Sequence, residues 1–297
     1  MAQATIGIIG GSGLYHIDML ENIKEHDIDT PYGKPSDVLV SGRIAGVPVV
    51  FLARHGRTHH LIPSRVPYRA NIYALKRLGV RYLLSFSAVG SLSEGIRPLD
   101  LVLPDQFIDM TKHRIGTFFD DGAVAHVSMA HPVCPAITKV LAQAVADLDT
   151  NEQVHLHKTG TYLCIEGPHF SSKAESHWFR SMGANIIGMT NMPEAKLARE
   201  AQIAYATLAM VTDYDCWHPR ESHVTADMAI ANLKKNAERA QHIAISAIKR
   251  ISESMPESDA HSALKSALIT PRESMNASAR EFVDVLMGNA LDQPYPI

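Results

Sequence analysis

The chain reads as an α/β protein built on a mainly parallel sheet covered by helices on both faces, and three observations predict it. Short apolar runs end again and again in glycine-containing, polar or charged clusters; segments of helical period lie between them; proline and glycine punctuate the boundaries. The first run, Thr5-Ile6-Gly7-Ile8-Ile9, ends at Gly10-Gly11-Ser12-Gly13. The second, Val47 to Leu52, ends at Arg54-His55-Gly56-Arg57, and Tyr82 to Phe86 ends at Ser87-Ala88-Val89-Gly90-Ser91. Further on, Tyr162 to Ile165 ends at Glu166-Gly167-Pro168-His169-Phe170, Ile186-Ile187 at Gly188-Met189-Thr190, and Ala204 to Val211 at Thr212-Asp213-Tyr214-Asp215. Helical spacing places Tyr68, Ile72, Leu75 and Leu78 on one face before Gly79, and Ile137, Val140, Leu141, Val145 and Leu148 on another after Pro135. Trp178, Phe179 and Met182 precede Gly183; Leu197, Ala198 and Ala201 follow Pro193; a long helix is expected from about Thr225 to Ile251. In sheets of this kind ligands gather outside the carboxyl ends of the strands, where all six clusters would sit.

Composition narrows the partners. The 297 residues are 46% hydrophobic and 20% charged, which excludes disordered, collagen-like and coiled-coil chains. A formal charge of -3, with no dense Lys/Arg stripe, gives little attraction to phosphodiester backbones or anionic lipid, so neither nucleic acid nor membrane is an expected partner. No apolar stretch approaches the roughly 20 residues of a spanning helix. The start, Met1-Ala2-Gln3-Ala4-Thr5, lacks a basic region or cleavage site, so a cytoplasmic address is expected. Cys134, Cys164 and Cys216 are odd in number and widely spaced, which fits reduced thiols better than a disulfide framework. Composition turns polar at Ser252-Glu253-Ser254-Met255-Pro256-Glu257-Ser258-Asp259, dividing a main domain, 1–251, from a linker and helical tail, 252–297, in which Ser262 to Leu268 and Ser278 to Met287 could be two short helices.

Three clusters carry chemistry. Glycines 10, 11 and 13 allow close backbone approach, so amides and the Ser12 hydroxyl can bond an anion; a bare tight turn would carry the same glycines. Arg54 and His55 offer guanidinium and imidazole to an oxyanion, with Ser87 and Thr190 adding hydroxyls from other strand ends; a surface cluster is the competing reading. Asp213 and Asp215 follow a strongly apolar strand, and in extended backbone residues two apart share a face, so both carboxyls could address one planar ligand. A buried, protonated Asp there could donate to a ring nitrogen; a solvated turn or helix cap is the alternative. No metal site is expected: His155-x-His157 has no accompanying carboxylate set, and with His59-His60 it reads as surface.

Several separated motifs together resemble one family. They are Ile6 to Leu14, Thr30-Pro31-Tyr32-Gly33-Lys34-Pro35-Ser36-Asp37, Leu52 to Arg57, Asp105-Gln106-Phe107-Ile108-Asp109, Ile165 to Ser172, and Thr212 to Trp217. In that order they are similar to the S-methyl-5'-thioadenosine phosphorylase family of the trimeric purine nucleoside phosphorylase superfamily, over about residues 4 to 250. The resemblance implies a single mixed, mainly parallel central sheet and a homo-oligomer, a trimer. It also implies phosphorolysis of S-methyl-5'-thioadenosine to adenine and 5-methylthioribose 1-phosphate, with inorganic phosphate as co-substrate and no cofactor. Carried over, the phosphate site comprises Ser12, Arg54, His55, Ser87, Ala88 and Thr190. Met189, Phe170 and Ser171 meet ribose and base, with Asp213 as the acid at N7 and Asp215 as acceptor for the 6-amino group. Ala226, Ala229 and Ile230 line the methylthio pocket, with His126 supplied by an adjacent subunit. Ser12 and Ser87 stand where other members have threonine, and Ala226 where valine is frequent, with His223 nearby. These departures imply a roomier 5' pocket that could admit adenosine. The alternatives are a purine nucleoside phosphorylase acting on methylthioinosine, inosine or adenosine, an NAD-dependent oxidoreductase argued from the glycine loop, and a non-catalytic nucleoside-binding module.

Overall fold

The computed structural model describes residues 5–11, 20–148, 154–219 and 226–288, the side chains of residues 5, 226–231, 233 and 234 excepted. Eleven strands form one sheet among these residues: β1 (Thr5–Gly10), β2 (Glu21–His26), β3 (Leu39–Ile44), β4 (Val47–Ala53), β5 (Val80–Ser91), β6 (Leu101–Val102), β7 (Gln106–Asp109), β8 (Leu156–His157), β9 (Thr161–Cys164), β10 (Ile186–Gly188) and β11 (Ala204–Asp213). Six helices accompany them: α1 (Tyr68–Arg77), α2 (Pro135–Ala146), α3 (Lys173–Ser181), α4 (Asn191–Glu200), α5 (Ala226–Ser254) and α6 (Ala277–Met287). The six expected strands and the five expected helices of the main domain are all present; of the two short helices expected in the tail only the second forms, as α6, while 263–267 is a run of turns. The short or polar strands β2, β3, β6, β7 and β8 had no pattern strong enough to announce them.

The sheet is mixed. β4, β1, β5 and β11 run parallel, whereas β2, β3 and β4 form an antiparallel edge and β10 joins β5 antiparallel. Alternation along the strands divides the core. Ile6, Ile8, Phe51 and Leu84 pack with Ile137 and Leu141 of α2 and Ile243 and Ala247 of α5. On the other face, Ile9, Leu52 and Leu83 pack with Ile72 and Leu75 of α1 and Ala195 and Ala198 of α4.

Where β5 ends decides where a site can form. The expected strand stopped at Phe86, but β5 continues through Ser91, because β11 pairs it as far as Gly90 and β10 pairs Gly90 and Ser91. On the opposite edge from β11, β1 pairs only as far as Ser85. Among the described residues the stretch Phe86–Val89 therefore has no strand partner on the side between β1 and β10, and side chains can meet its backbone there, as Arg54 Nη1 meets Phe86 O.

The tail belongs to the same core. The Pro256 region is a polar connector, yet Leu264, Met275, Phe282, Val283 and Leu286 beyond it are buried with the residues of α1 and α4. Arg199 at the end of α4 holds Asp259 with two hydrogen bonds of 2.9 Å, and Gln202 accepts from Leu264 N at 3.1 Å.

Candidate active site

A cavity of about 280 Å³ opens at the carboxyl ends of the central strands. Gly11, Arg54, His55, Ser87, Ala88, Ile165, Met189, Thr190, Asp213 and Asp215 all line it, so the six clusters that end the apolar runs meet in one place. Phe170 stands half exposed beside Ser171, also on the wall. Ser12 and His223 lie outside the described residues, as do the side chains of Ala226, Ala229 and Ile230. His126 does not line this cavity. Its N–H donates to Ala267 O at 2.9 Å, and the adjoining Ala125 forms a β-bridge with Leu268 of the tail.

At one end the groups are donors and hydroxyls. Ser87 Oγ lies 3.3 Å from Thr190 Oγ1 and 3.2 Å from the Tyr162 hydroxyl, giving a three-hydroxyl cluster. Gly188 permits it, since a Cβ at that position would overlap the Tyr162 hydroxyl. Arg54 is only 1% exposed and is committed more deeply than its sequence motif suggests. Its Nε and Nη2 donate to the two oxygens of Glu194 at 2.7 and 3.0 Å, Nη2 also to Ser85 Oγ at 2.7 Å, and Nη1 to Phe86 O at 2.9 Å. The second Nη1 hydrogen is the one left to address the cavity. Glu194 is completely buried, and the Tyr205 hydroxyl donates to it at 2.9 Å. Fork-on-fork pairing of this kind fixes the plane of the guanidinium.

His55 sits beside Arg54 with Nδ1 2.8 Å from Leu61 O. A carbonyl only accepts, so Nδ1 carries the proton. Burial first, then the neighbouring Arg54 charge, lower its pKa to about 4, so the ring is neutral near pH 7 and Nε2 is an acceptor. His59 is exposed, as its sequence context reads, and at the cavity mouth its ring stacks on His55 at 4.5 Å. A turn through Gly56 folds it back over His55.

At the other end stand the two carboxyls, 7% and 4% exposed. They converge by a route the extended-strand argument did not foresee. Asp213 is the last residue of β11, but Asp215 has φ 51°, a left-handed conformation in which the chain turns back. The turn is closed by Asp215 N–H donating to Asp213 Oδ1 at 2.8 Å, while Thr212 Oγ1 donates to Asp213 Oδ2 at 2.7 Å. Burial, and secondarily Asp213, raise the Asp215 pKa above the ordinary carboxylate range. Between the two ends the wall is apolar, from Phe86, Val89, Ile165, Ile187 and Met210.

Three contributors carried no local sequence signal. Glu194 is paired with a residue 140 positions away, and only its place among buried alanines on α4 hints at a partner. Ser176 of α3 donates to Asp215. Arg114, 1% exposed at its side chain, donates through Nη1 to Met189 O and Met192 O at 2.6 and 2.7 Å and through Nη2 to Glu166 O at 2.7 Å, tying two cavity walls together. Among the described residues, no group of three or more His, Cys, Asp or Glu is arranged to hold a metal, and no helix is long and apolar enough to cross a membrane.

The phosphorylase superfamily model matches residues 5–249. An S-methyl-5'-thioadenosine phosphorylase of Thermosynechococcus vestitus is 57% identical over 288 residues, 97% of this chain and 99% of that one. A methylthioadenosine phosphorylase sourced from an antarctic soil metagenomic library has a crystal structure that is 59% identical and superposes with a TM-score of 0.91 over 96% of this chain and 99% of its own. A mutant of the adenosine/methylthioadenosine phosphorylase of Schistosoma mansoni, in complex with methylthioadenosine, is 33% identical with a TM-score of 0.79 over 96% and 98% of the two chains. A shared fold, near-complete coverage and identity above half leave one conclusion: the chain belongs to the S-methyl-5'-thioadenosine phosphorylase family of the phosphorylase superfamily.

Proposed function

We propose that the protein catalyses phosphorolysis of S-methyl-5'-thioadenosine, releasing adenine and 5-methylthioribose 1-phosphate. The observation that carries this reading is one cavity with an anion end and a carboxyl end, joined by an apolar wall that suits a ribose and a purine face. The names of its relatives support the same substrate.

In this reading phosphate lies against Ser87, Thr190, the free Nη1–H of Arg54 and the unpaired edge at Ala88. His55 Nε2 accepts the hydrogen of monoprotonated phosphate. A phosphate oxygen forms a bond to C1' while the C1'–N9 bond breaks. The sugar passes through an oxocarbenium-like state that the phosphate charge stabilises. The electron pair goes to the departing purine, which takes a proton at N7 from the Asp213/Asp215 pair, with Asp213 facing N7 and Asp215 accepting from the 6-amino group. Inorganic phosphate is the co-substrate, and no other cofactor enters the scheme.

The active unit in this proposal is a homotrimer whose neighbouring subunit brings His126 to the 5' end. The exposed Val124 and Ile269 flank the segment that carries His126 and are available to such a neighbour. A cytoplasmic address accords with three unpaired cysteines, two of them buried. Incubation with methylthioadenosine should release adenine only when phosphate is present. Asp213→Ala should lower kcat by about 10²- to 10⁴-fold. Adenine release without phosphate, or full activity in the variant, would overturn the mechanism.

A further inference from the structure

Asp215 is held from two sides. Its backbone N–H is tied to Asp213, and on its other side Ser176 Oγ donates to its Oδ2 at 2.5 Å. Ser176 is 0% exposed and stands in the first turn of α3. That turn is fixed by a reciprocal cap: Glu175 N donates to Ser172 Oγ at 3.3 Å, and Ser172 N donates to Glu175 Oε2 at 2.8 Å. A serine within a helix ordinarily bonds its own preceding turn or points to water. Ser176 does neither, and its single hydroxyl hydrogen goes to a carboxyl across 39 residues of chain.

Donation to Oδ2 has a chemical consequence. A carboxyl that receives a hydrogen bond is favoured as the ionised acceptor, and the Cys216 amide acts on Asp215 in the same direction. Burial and the adjacent Asp213 push the other way, towards the protonated form, which would present an O–H donor. An acceptor at this position matches an exocyclic amino group, and a donor matches an exocyclic oxygen.

We infer that Ser176 is a positioning residue that keeps Asp215 an oriented acceptor and thereby sets the preference for 6-aminopurine over 6-oxopurine nucleosides. The inference rests on the phosphorolysis reading and adds to it a determinant outside the cavity wall.

The test compares kcat/KM for methylthioadenosine and methylthioinosine at saturating phosphate, in the full-length protein and in Ser176→Ala and Ser176→Cys. The amino-to-oxo ratio should fall by about tenfold or more in Ser176→Ala and by an intermediate factor in Ser176→Cys, whose thiol is a weaker donor of similar size. A purely structural loss lowers both substrates together and leaves the ratio alone. Should Ser176→Ala not fold, the ratio in Ser176→Cys decides. An unchanged ratio overturns the inference while leaving phosphorolysis intact. A native protein that releases no adenine with phosphate present overturns phosphorolysis itself.

Discussion

His55 brings a neutral ring to a cavity meant for an anion because two neighbours leave it no alternative: apolar surroundings disfavour its charge, and Arg54 already supplies one. The same fact governs stability. The folded ring titrates at about 4, whereas a solvated histidine titrates near 6.5, so between those values the unfolded chain binds more protons. Stability should therefore fall as pH drops from about 7 to about 4, with His55 responsible for up to about 3 kcal/mol. Thermal unfolding followed across that range checks it, and His55→Asn should flatten the profile. Glu166 adds a second, more acidic loss: although burial opposes it, the Ser64 hydroxyl and the amides of Lys112 and His113 hold its pKa at about 2. Its contribution is present above about 4.5 and disappears towards pH 2.

Among the elements, α4 does the most to join core and site. Its N-cap places Thr190 at the cavity, its first turn places Glu194 under Arg54, and its end clasps the tail through Arg199. Glu194→Gln would leave a buried guanidinium without its counter-charge. The expected cost is about 3–5 kcal/mol in chemical unfolding, together with a raised KM for phosphate as Arg54 loses its fixed plane. A variant of native stability and unchanged phosphate KM would show that Arg54 is oriented by something else. The cap of α3, Ser172 with Glu175, is legible in sequence as a Ser-x-x-Glu start. What it orients, Ser176 against Asp215, is not, because the target lies 39 residues away in the turn that follows β11.

For the molecule as a whole, the tail is the region where composition and packing diverge. Its polar opening reads as the end of a domain, yet α6 lays Phe282, Val283 and Leu286 into the cluster that also buries Ile72, Leu75 and Ala198. Phe282 meets Phe119 edge to face at 5.6 Å. Phe282→Ala should cost about 3–5 kcal/mol in urea unfolding, as expected of a buried aromatic in a shared core. A loss below about 1 kcal/mol would mean that α6 is peripheral to it. A composition window detects polarity, but it cannot see that a helix 20 residues further on will cover α1, because that contact depends on how the sheet is already assembled.

The order of strands and helices, the placement of polar clusters at strand ends and the chemical kinds of the cavity residues were determined by the sequence alone, since periodicity and turn chemistry act over a few neighbouring residues. Tertiary structure alone decided which of those groups meet. It extended β5 past Phe86 by pairing it with β10 and β11, curled Asp215 back onto Asp213, and set Glu194 beneath Arg54. Each of these depends on partners distant along the chain, and a buried charge or hydroxyl takes its role from whatever lies across from it in space.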